Sequence, residues 1–310
     1  MAQDFSASTA VPNRLLLIDG DTLAYYAGSA KTPSSCRNRV RSKVRDAIRS
    51  SGASDCYVLL TESGSSKGGR RAVAKRIGYQ SKRKAHRPEL WSLARDTIIS
   101  SQHIGYSVRT TTELEADDLF GLYGKQHGDR HGYASVHMLY EDKDMRSLPG
   151  VHLAWDDCTV QASFDEHTYD VVGLNGKQYG TKWFWEQMLQ GDTADTIPGL
   201  PKYRSGDKEK LLGAATATKL LKDCTSNYDA SMKVLELYQG FYNGPDDDWA
   251  VEMLEQACLL WIRRGKYHNA STSLLDCRLP TSHFNNILTD PLFDQAAKEL
   301  IERLNKAQGT

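Results

Sequence analysis

The stretch RLLLIDGD at residues 14–21 joins an apolar run to a polar turn that carries two carboxylates. Such a run predicts a buried β-strand whose carboxyl end presents acidic side chains. Similar apolar runs occupy residues 56–60, just before Glu62, and residues 136–140, just before Asp142. Weaker strand signals lie at 106–108 and 151–155. The first half of the chain is therefore expected to place acidic residues at the ends of several strands.

Segments with helical spacing alternate with these strands. They lie at residues 37–50, 88–100 and 113–126, and Thr111 and Thr112 are expected to cap the third. This alternation predicts an α/β fold with a mostly parallel twisted sheet, whose ligands bind outside the carboxyl ends of the strands. From about residue 180 the strand signals fade, and helices are predicted at 182–190, 214–222, 228–240, 247–264 and 291–307. We thus expect an α/β domain over 1–180 and an α-rich part over 181–310.

Composition excludes several classes of protein. The chain has 310 residues, 25% of them charged, and a mean hydropathy of −0.54. No apolar run approaches the ~20 residues of a membrane helix, and residues 1–13 lack the basic-then-apolar layout of a secretory signal. The six cysteines form no CxxC pair, which argues against zinc ribbons, redox motifs and iron–sulfur sites. We expect a cytoplasmic protein without a membrane partner.

A net charge of zero conceals a segregation of charge. Residues 1–111 carry +11, residues 112–198 carry −10 and the remainder carries −1. A basic third followed by an acidic third predicts a surface for a polyanion beside a site that collects cations.

Four acidic groupings account for the cation-collecting site: Asp19 with Asp21, EADD at 115–118, DKD at 142–144 and DTAD at 192–195. Carboxylates gathered in one pocket repel one another, and hard divalent cations relieve that repulsion because magnesium and manganese prefer oxygen ligands. Two such ions ~3.5–4 Å apart stabilise the attacking and leaving oxygens in phosphoryl chemistry. The sequence therefore predicts a shared metal site.

The polyanion surface is predicted in the basic segment, residues 64–88, which holds nine Lys or Arg and no acid. Its cations are expected to neutralise phosphates, and Tyr79 to stack on a base. A second phosphate contact is predicted where a Gly/Pro loop at 191–201 precedes GAATATKLL at 213–221, because loop amides and a helix N-terminus suit phosphate. The predicted contacts with this polyanion are Lys75, Arg76, Tyr79, Lys84, Gly199, Gly213, Thr216, Thr218 and Lys219.

In this order, IDGD, the basic segment, EADD, DKDM, LPG, GDTADTIPGLP and GAATATKLL resemble the 5′ nuclease (flap endonuclease) superfamily. The resemblance covers roughly residues 14–225 and is closest to the stand-alone 5′→3′ exonucleases of tailed bacteriophages. It implies a PIN-like core, a basic helical arch at about 64–88 and a helix–three-turn–helix module at about 186–222.

The resemblance also implies an activity. A two-metal-ion enzyme of this kind hydrolyses phosphodiester bonds near the 5′ end of duplex or flapped DNA. In phage DNA replication this would serve RNA primer removal or DNA degradation, with RNA–DNA hybrids and replication proteins as further candidate partners.

Motif matching assigns roles to individual residues. Asp19, Glu115 and Asp117 would serve one divalent cation, Mg or Mn. A second cation would be served or surrounded by Asp142, Asp144, Asp192 and Asp195, with Asp118 close by. Arg83 would contact the scissile phosphate beside Lys82, and a potassium ion would bridge the 199–219 hairpin to DNA.

The sequence departs from the family pattern in three places. Glu62 stands where an aspartate is usual, and we retain it as a candidate metal ligand. The arch motif reads YQSKR at 79–83, and Lys82 is expected to supply the charge of a displaced lysine. Residues 202–212 interrupt the glycine hairpin, so the grip on the duplex or on potassium is expected to differ.

Three other interpretations stay open at this stage. IDGDTL at 18–23 satisfies the DxDxT pattern of a haloacid-dehalogenase-type phosphatase, with Asp19 as nucleophile and Asp21 as acid/base. A non-catalytic protein that binds DNA structures on the same scaffold is the second, and an RNA-directed PIN nuclease is the third.

Overall fold

The computed structural model describes residues 10–82, 86–101, 105–205, 208–244, 248–265 and 291–308. The central sheet is built from β1 (Val11–Asp19), β2 (Ala53–Thr61), β3 (Ser107–Thr111), β4 (Val136–Leu139), β5 (Gly150–Leu153) and β6 (Val160–Phe164). Its strand order is β3-β2-β1-β4-β5-β6. All neighbours are parallel except β6, which runs antiparallel to β5 at one edge. The mostly parallel sheet is confirmed, and the antiparallel edge strand is an addition.

Ten α-helices surround or follow this sheet: α1 (Gly20–Gly28), α2 (Pro33–Ser51), α3 (Arg70–Val73), α4 (Trp91–Ser100), α5 (Ala116–His131), α6 (Thr181–Gln190), α7 (Ala214–Leu220), α8 (Asn227–Phe241), α9 (Trp249–Leu260) and α10 (Pro291–Gln308). This count covers only the ranges given above. Two small antiparallel pairs complete the structure: β7 (Val171–Val172) with β8 (Gln178–Tyr179), and β9 (Lys202–Ser205) with β10 (Lys208–Leu211). The interruption at 202–212 is thus a β-hairpin.

Helices cover both faces of the sheet, so the apolar run of β1 is buried on both sides. Leu16 and Ile18 pack with residues of α1, α2 and α4, whereas Leu15 and Leu17 pack with residues of α5. Successive side chains of a strand point to opposite faces, which explains why a parallel strand is apolar throughout. The polar residues that follow the strands therefore gather at one edge.

Two carboxylates at this edge begin helices. Asp19 caps α1, which the sequence did not predict, and its side chain accepts the Thr22 amide at 3.0 Å. The expected capping of the third helix by Thr111 and Thr112 is wrong, since Thr111 ends β3 and α5 begins at Ala116. Glu115 is the cap residue instead. A carboxylate suits this position because it accepts the free amides of the first turn.

Gly20 fixes how closely α1 begins against β2. A Cβ atom at this position would lie 2.5 Å from the backbone oxygen of Leu59, closer than any real contact. A side chain here would push apart the strand ends that carry Asp19 and Glu62, so the glycine is required by the geometry of the edge.

The α-rich part has its own apolar core, formed around Trp185, Tyr238 and Phe293. Val73 and Tyr79 of the basic segment are buried in this core, so the segment is anchored to the helices of the second half. Over the stretches that the structure describes, no helix is both long and apolar enough to cross a membrane.

Candidate active site

A cleft of about 680 Å³ opens at the carboxyl edge of the sheet. The strand ends and the starts of α1 and α5 contribute its acidic wall, and the basic segment faces that wall. Six of the predicted metal ligands line it together: Asp19, Glu62, Glu115, Asp117, Asp142 and Asp195.

Burial and mutual repulsion perturb the acids in this cleft. Burial, the carboxylate of Asp21 and that of Asp142 raise the pKa of Asp19 to about 7. The pKa of Asp117 is raised well above its usual value by burial and by the charges of Asp142 and Asp19. Carboxylates with such pKa values are poorly compensated, so the cleft favours a bound cation.

A carboxylate trio adjoins the cleft. Asp144, Asp192 and Asp195 each offer an oxygen, and these oxygens lie within 4.8 Å of one another. Burial raises the pKa of Asp144, and the charges of Asp142 and Asp192 raise it further. Among the described residues this is the one set of at least three ligand atoms close enough to share an ion.

Two side chains that the sequence analysis did not select hold the trio. The Lys143 ammonium lies 2.6 Å from Asp192 and 3.8 Å from Asp144, and the Gln187 amide donates to Asp144. Burial lowers the pKa of Lys143, but the charges of Asp144 and Asp192 outweigh it and the net pKa is raised. The position of Lys143 between two aspartates in DKD was the available signal. The Lys143 ammonium provides positive charge beside Asp144 and Asp192.

The basic segment closes over the acidic wall through Tyr79. Its hydroxyl lies 2.8 Å from Glu115 and 2.9 Å from Asp195, so the two carboxylates share its single proton, and only 7% of the residue is exposed. The amide of Gln80 donates to Asp195 at 2.9 Å, and Lys67 lies 3.0 Å from Glu115. In this conformation Tyr79 does not present its ring for stacking on a base, so that role stays a prediction.

Asp118 is engaged in a different way from its neighbours. Arg70 donates to both of its carboxylate oxygens at 2.9 Å, and the Arg263 amide donates to one at 3.1 Å. Asp118 is 1% exposed. These contacts favour a structural role for Asp118 over metal binding.

The basic segment therefore serves carboxylates as well as any phosphate. Besides Lys67 and Arg70, Lys75 pairs with Glu299 at 3.3 Å and Arg76 pairs with Glu252 at 2.9 Å. The sequence predicted contacts of this segment with phosphates but not these ion pairs with acidic residues elsewhere in the chain.

Three further residues were predicted to act on phosphate in this segment. Lys82 is exposed and its amide donates to Thr196. Arg83 and Lys84 lie outside the described residues. Arg71 and Arg87 were not selected from the sequence, yet both line the cleft and offer positive charge at its rim.

The glycine loop is a tight turn. Gly191 and Gly199 approach each other so closely that a Cβ on Gly199 would meet the Gly191 nitrogen at 2.3 Å, and both have positive φ. The Gly199 amide donates to the buried side chain of Gln256 at 3.0 Å, so it is not offered to a phosphate in this conformation.

The helix that follows this loop is more accessible. Gly213, Thr218 and Lys219 are exposed and Thr216 is half-buried. Their predicted contacts with DNA remain predictions.

Asp21, the second residue of the phosphatase interpretation, lines the cleft but already has partners. Asp21 accepts from Arg95 at 2.7 Å and from the Thr61 amide at 3.1 Å, so its carboxylate ties α1 to α4 and β2. An acid/base catalyst needs a proton-accepting oxygen free to face the substrate.

The donor chemistry fits divalent cations. The predicted metal ligands of the trio and of the cleft are all carboxylates, whose oxygens magnesium and manganese prefer, although the imidazole of His86 also lines the cleft. The raised pKa values of Asp19, Asp117 and Asp144 indicate that a positive charge bound beside these carboxylates would stabilise their ionised forms.

Comparison with family models and with curated proteins gives no match. Solved structures do match. One is the bacteriophage T5 D15 flap endonuclease in a pseudo-enzyme-product complex with DNA and metal ions: 14% identity, 94% of this chain and 99% of that chain covered, TM-score 0.52. Another is the T5 D15 protein co-crystallized with metal ions: 15% identity, 93% and 98% covered, TM-score 0.49. This chain thus shares the fold of the T5 D15 flap endonuclease, and the predicted PIN-like fold is confirmed.

Proposed function

We propose that this protein is a metal-dependent 5′ nuclease that hydrolyses phosphodiester bonds near the 5′ end of duplex or flapped DNA. The carboxylate trio Asp144, Asp192 and Asp195 beside the acidic cleft carries the proposal. The shared fold supports it, because the T5 D15 flap endonuclease was solved with DNA and metal ions.

The proposed ligands divide into two sets. The trio would hold one divalent cation, and Asp19, Glu115, Asp117 and Asp142, with Glu62 beside them, would hold the second: Mg or Mn in both cases. When bound, such cations stabilise the charge that develops on phosphate oxygens and lower the pKa of water.

Other side chains of the cleft would attract and orient the phosphate. Arg71 and Arg87 at the rim face the acidic wall, so a phosphate that enters the cleft meets positive charge there. Lys82 and Arg83 are proposed to orient the scissile phosphate. Lys67 and Tyr79 hold Glu115 in place.

We propose that the α-rich part grips the duplex. The exposed Lys219 of α7 is available to phosphates, with Gly213, Thr216 and Thr218 beside it. The same proposal includes a potassium ion at the hairpin of residues 199–219. It also includes a substrate that contains an RNA–DNA hybrid and a role in phage replication.

The test uses a duplex with a 5′ flap, labelled separately at each end. We expect short products from the 5′ end in magnesium or manganese, no products in EDTA, and a loss of at least 100-fold in Asp142→Ala. Asp55→Ala is the matched control, because this exposed aspartate lies at the start of β2, at the opposite end of the strand from Glu62.

Each other outcome has a defined meaning. Tight DNA binding without cleavage in either metal would favour the non-catalytic scaffold protein. Cleavage of RNA alone would favour the RNA-directed nuclease. A covalent aspartyl-phosphate on Asp19 would restore the phosphatase, since hydrolysis by a 5′ nuclease passes through no covalent enzyme intermediate.

A further inference from the structure

An arginine ridge, defined as Arg37, Arg41, Arg45 and Arg49, runs along α2. The four residues follow one another at intervals of four, and all of them are exposed. Each lies about 6 Å further along the helix axis, so the ridge extends over about 18 Å. The opposite face of α2 is buried on the sheet through residues such as Val40 and Val44.

Helix α2 carries a single acid against the four arginines of the ridge. The one acid in α2 is Asp46, which lies 3.9 Å from Arg45 with both side chains mostly exposed. The two other basic residues of α2 bind backbone oxygens. Arg39 donates to the backbone oxygen of Tyr26, and the buried Lys43 donates to that of Trp155. Like charges four residues apart repel on a helix, so the ridge favours a bound polyanion.

The ridge begins beside the cleft. Cys36, in the first turn of α2, contacts the backbone oxygen of Leu90 at 3.8 Å, and the next residue, Trp91, lines the cleft. The Arg87 guanidinium lies 4.1 Å from the centre of the Trp91 ring. Arg37 follows Cys36 directly in the sequence. The Arg87 guanidinium and the Trp91 ring therefore lie between the cleft and the start of the ridge.

The ridge ends at the other edge of the domain. After Ser51, the chain passes through Gly52 and enters β2 at Ala53, the end of that strand remote from Glu62. The ridge thus leads from the rim of the cleft along the side of the α/β domain.

We propose that the arginine ridge binds the phosphate backbone of a single DNA strand that extends from the cleft. This inference rests on the proposed nuclease function and adds a second DNA-binding surface to it. A single row of evenly spaced cations matches one backbone rather than the two of a duplex. The ridge offers no base-reading groove, so binding is independent of sequence and sensitive to salt.

The test measures DNA binding in EDTA, where cleavage plays no part. The triple variant R37Q/R41Q/R45Q is compared with Arg130→Gln, an exposed arginine in the last turn of α5. Fluorescence anisotropy follows binding to a duplex with a long 5′ flap and to the same duplex without it, across a range of salt concentrations.

We expect the triple variant to lose affinity for the flapped substrate only. Each phosphate contact on a single strand contributes about 0.7 to the slope of log K against log salt. Three lost contacts lower that slope by about 2. The loss of affinity of the triple variant relative to the wild type should therefore be about 100-fold larger at 0.1 M than at 1 M salt. Binding of the duplex without a flap stays unchanged.

Two outcomes would overturn the ridge alone: the triple variant binds like Arg130→Gln, or it loses as much affinity for the duplex without a flap. In both cases a wild-type protein that still cuts DNA leaves the proposed function intact. A wild-type protein that neither binds nor cuts DNA overturns both. Far-UV circular dichroism confirms folding, which removal of like charges is expected to preserve.

Discussion

Replacing Arg70 by methionine should strongly destabilise this protein. The Arg70 guanidinium is buried between α3, α5 and the end of α9. It donates to Asp118 twice at 2.9 Å, to Glu115 at 3.0 Å, and to the backbone oxygens of Leu259 and Trp261 at 3.1 Å. Methionine fills a similar volume without any donor, so the variant leaves two buried carboxylates and two carbonyls without this partner.

The size of the loss follows from these contacts. Removing one member of a buried ion pair costs about 3–5 kcal/mol, and each buried carbonyl that loses a hydrogen bond adds about 1 kcal/mol. We therefore expect about 5–7 kcal/mol, a large share of the 5–15 kcal/mol that stabilises a typical domain. Burial lowers the pKa of Arg70, but the charges of Asp118 and Glu115 outweigh it and raise the pKa well above its usual value, so the pair persists at neutral pH.

The assay is urea unfolding at pH 7 in EDTA, followed by tryptophan fluorescence. Arg71→Met is the control, because this neighbouring side chain is exposed and should change the free energy of unfolding by less than about 0.5 kcal/mol. The double variant R70M/D118L should recover part of the loss, since it removes both charges. A loss below 1 kcal/mol for Arg70→Met, or a double variant as unstable as the sum of its single changes, would refute this reasoning.

Three further predictions concern the cleft and its support. Glu255→Gln should lower the free energy of unfolding in urea by about 3 kcal/mol, because the buried Glu255 pairs with Arg303 at 2.7 Å and accepts hydrogen bonds from backbone amides of the basic segment. The control, Glu299→Gln, changes a half-exposed residue and should lower it by less than about 1 kcal/mol. Because the pKa of Asp19 is raised to about 7, its ionisation should cost the metal-free protein up to about 4 kcal/mol of stability as pH rises from 4 to 7, and Asp117 and Asp144, whose pKa values are also raised, should add to this fall. Thermal melts in EDTA would show this fall, magnesium should oppose it most at high pH, and a flat profile would contradict it. Tyr79→Phe should lower stability in EDTA by about 1–2 kcal/mol, because Glu115 and Asp195 lose a hydroxyl donor, and the loss should shrink in magnesium. An equal loss in both conditions would argue against a cation beside Tyr79.

Much of the architecture was predictable because it depends on short-range patterns. The apolar run at 15–18 predicted a β-strand, and helical periodicity placed α2, α6, α8, α9 and α10 within a few residues of their ends. Since parallel strands end at one edge, Asp19, Glu62 and Asp142 were expected to meet, and they line one cleft. The short helix α1, the edge strand β6 and the hairpin of β9 and β10 carried too little periodicity to be seen.

The tertiary structure decided which partner each charged group takes. In EADD the four residues are sequence neighbours, yet Asp117 faces the cleft and Asp118 pairs with Arg70, 48 positions away. The basic segment looked like a surface for phosphates, but Arg70 and Tyr79 are buried against carboxylates. The physical reason is range: helix and strand preferences act over a few residues, whereas the partner of a buried charge is set by contacts between segments that only folding brings together.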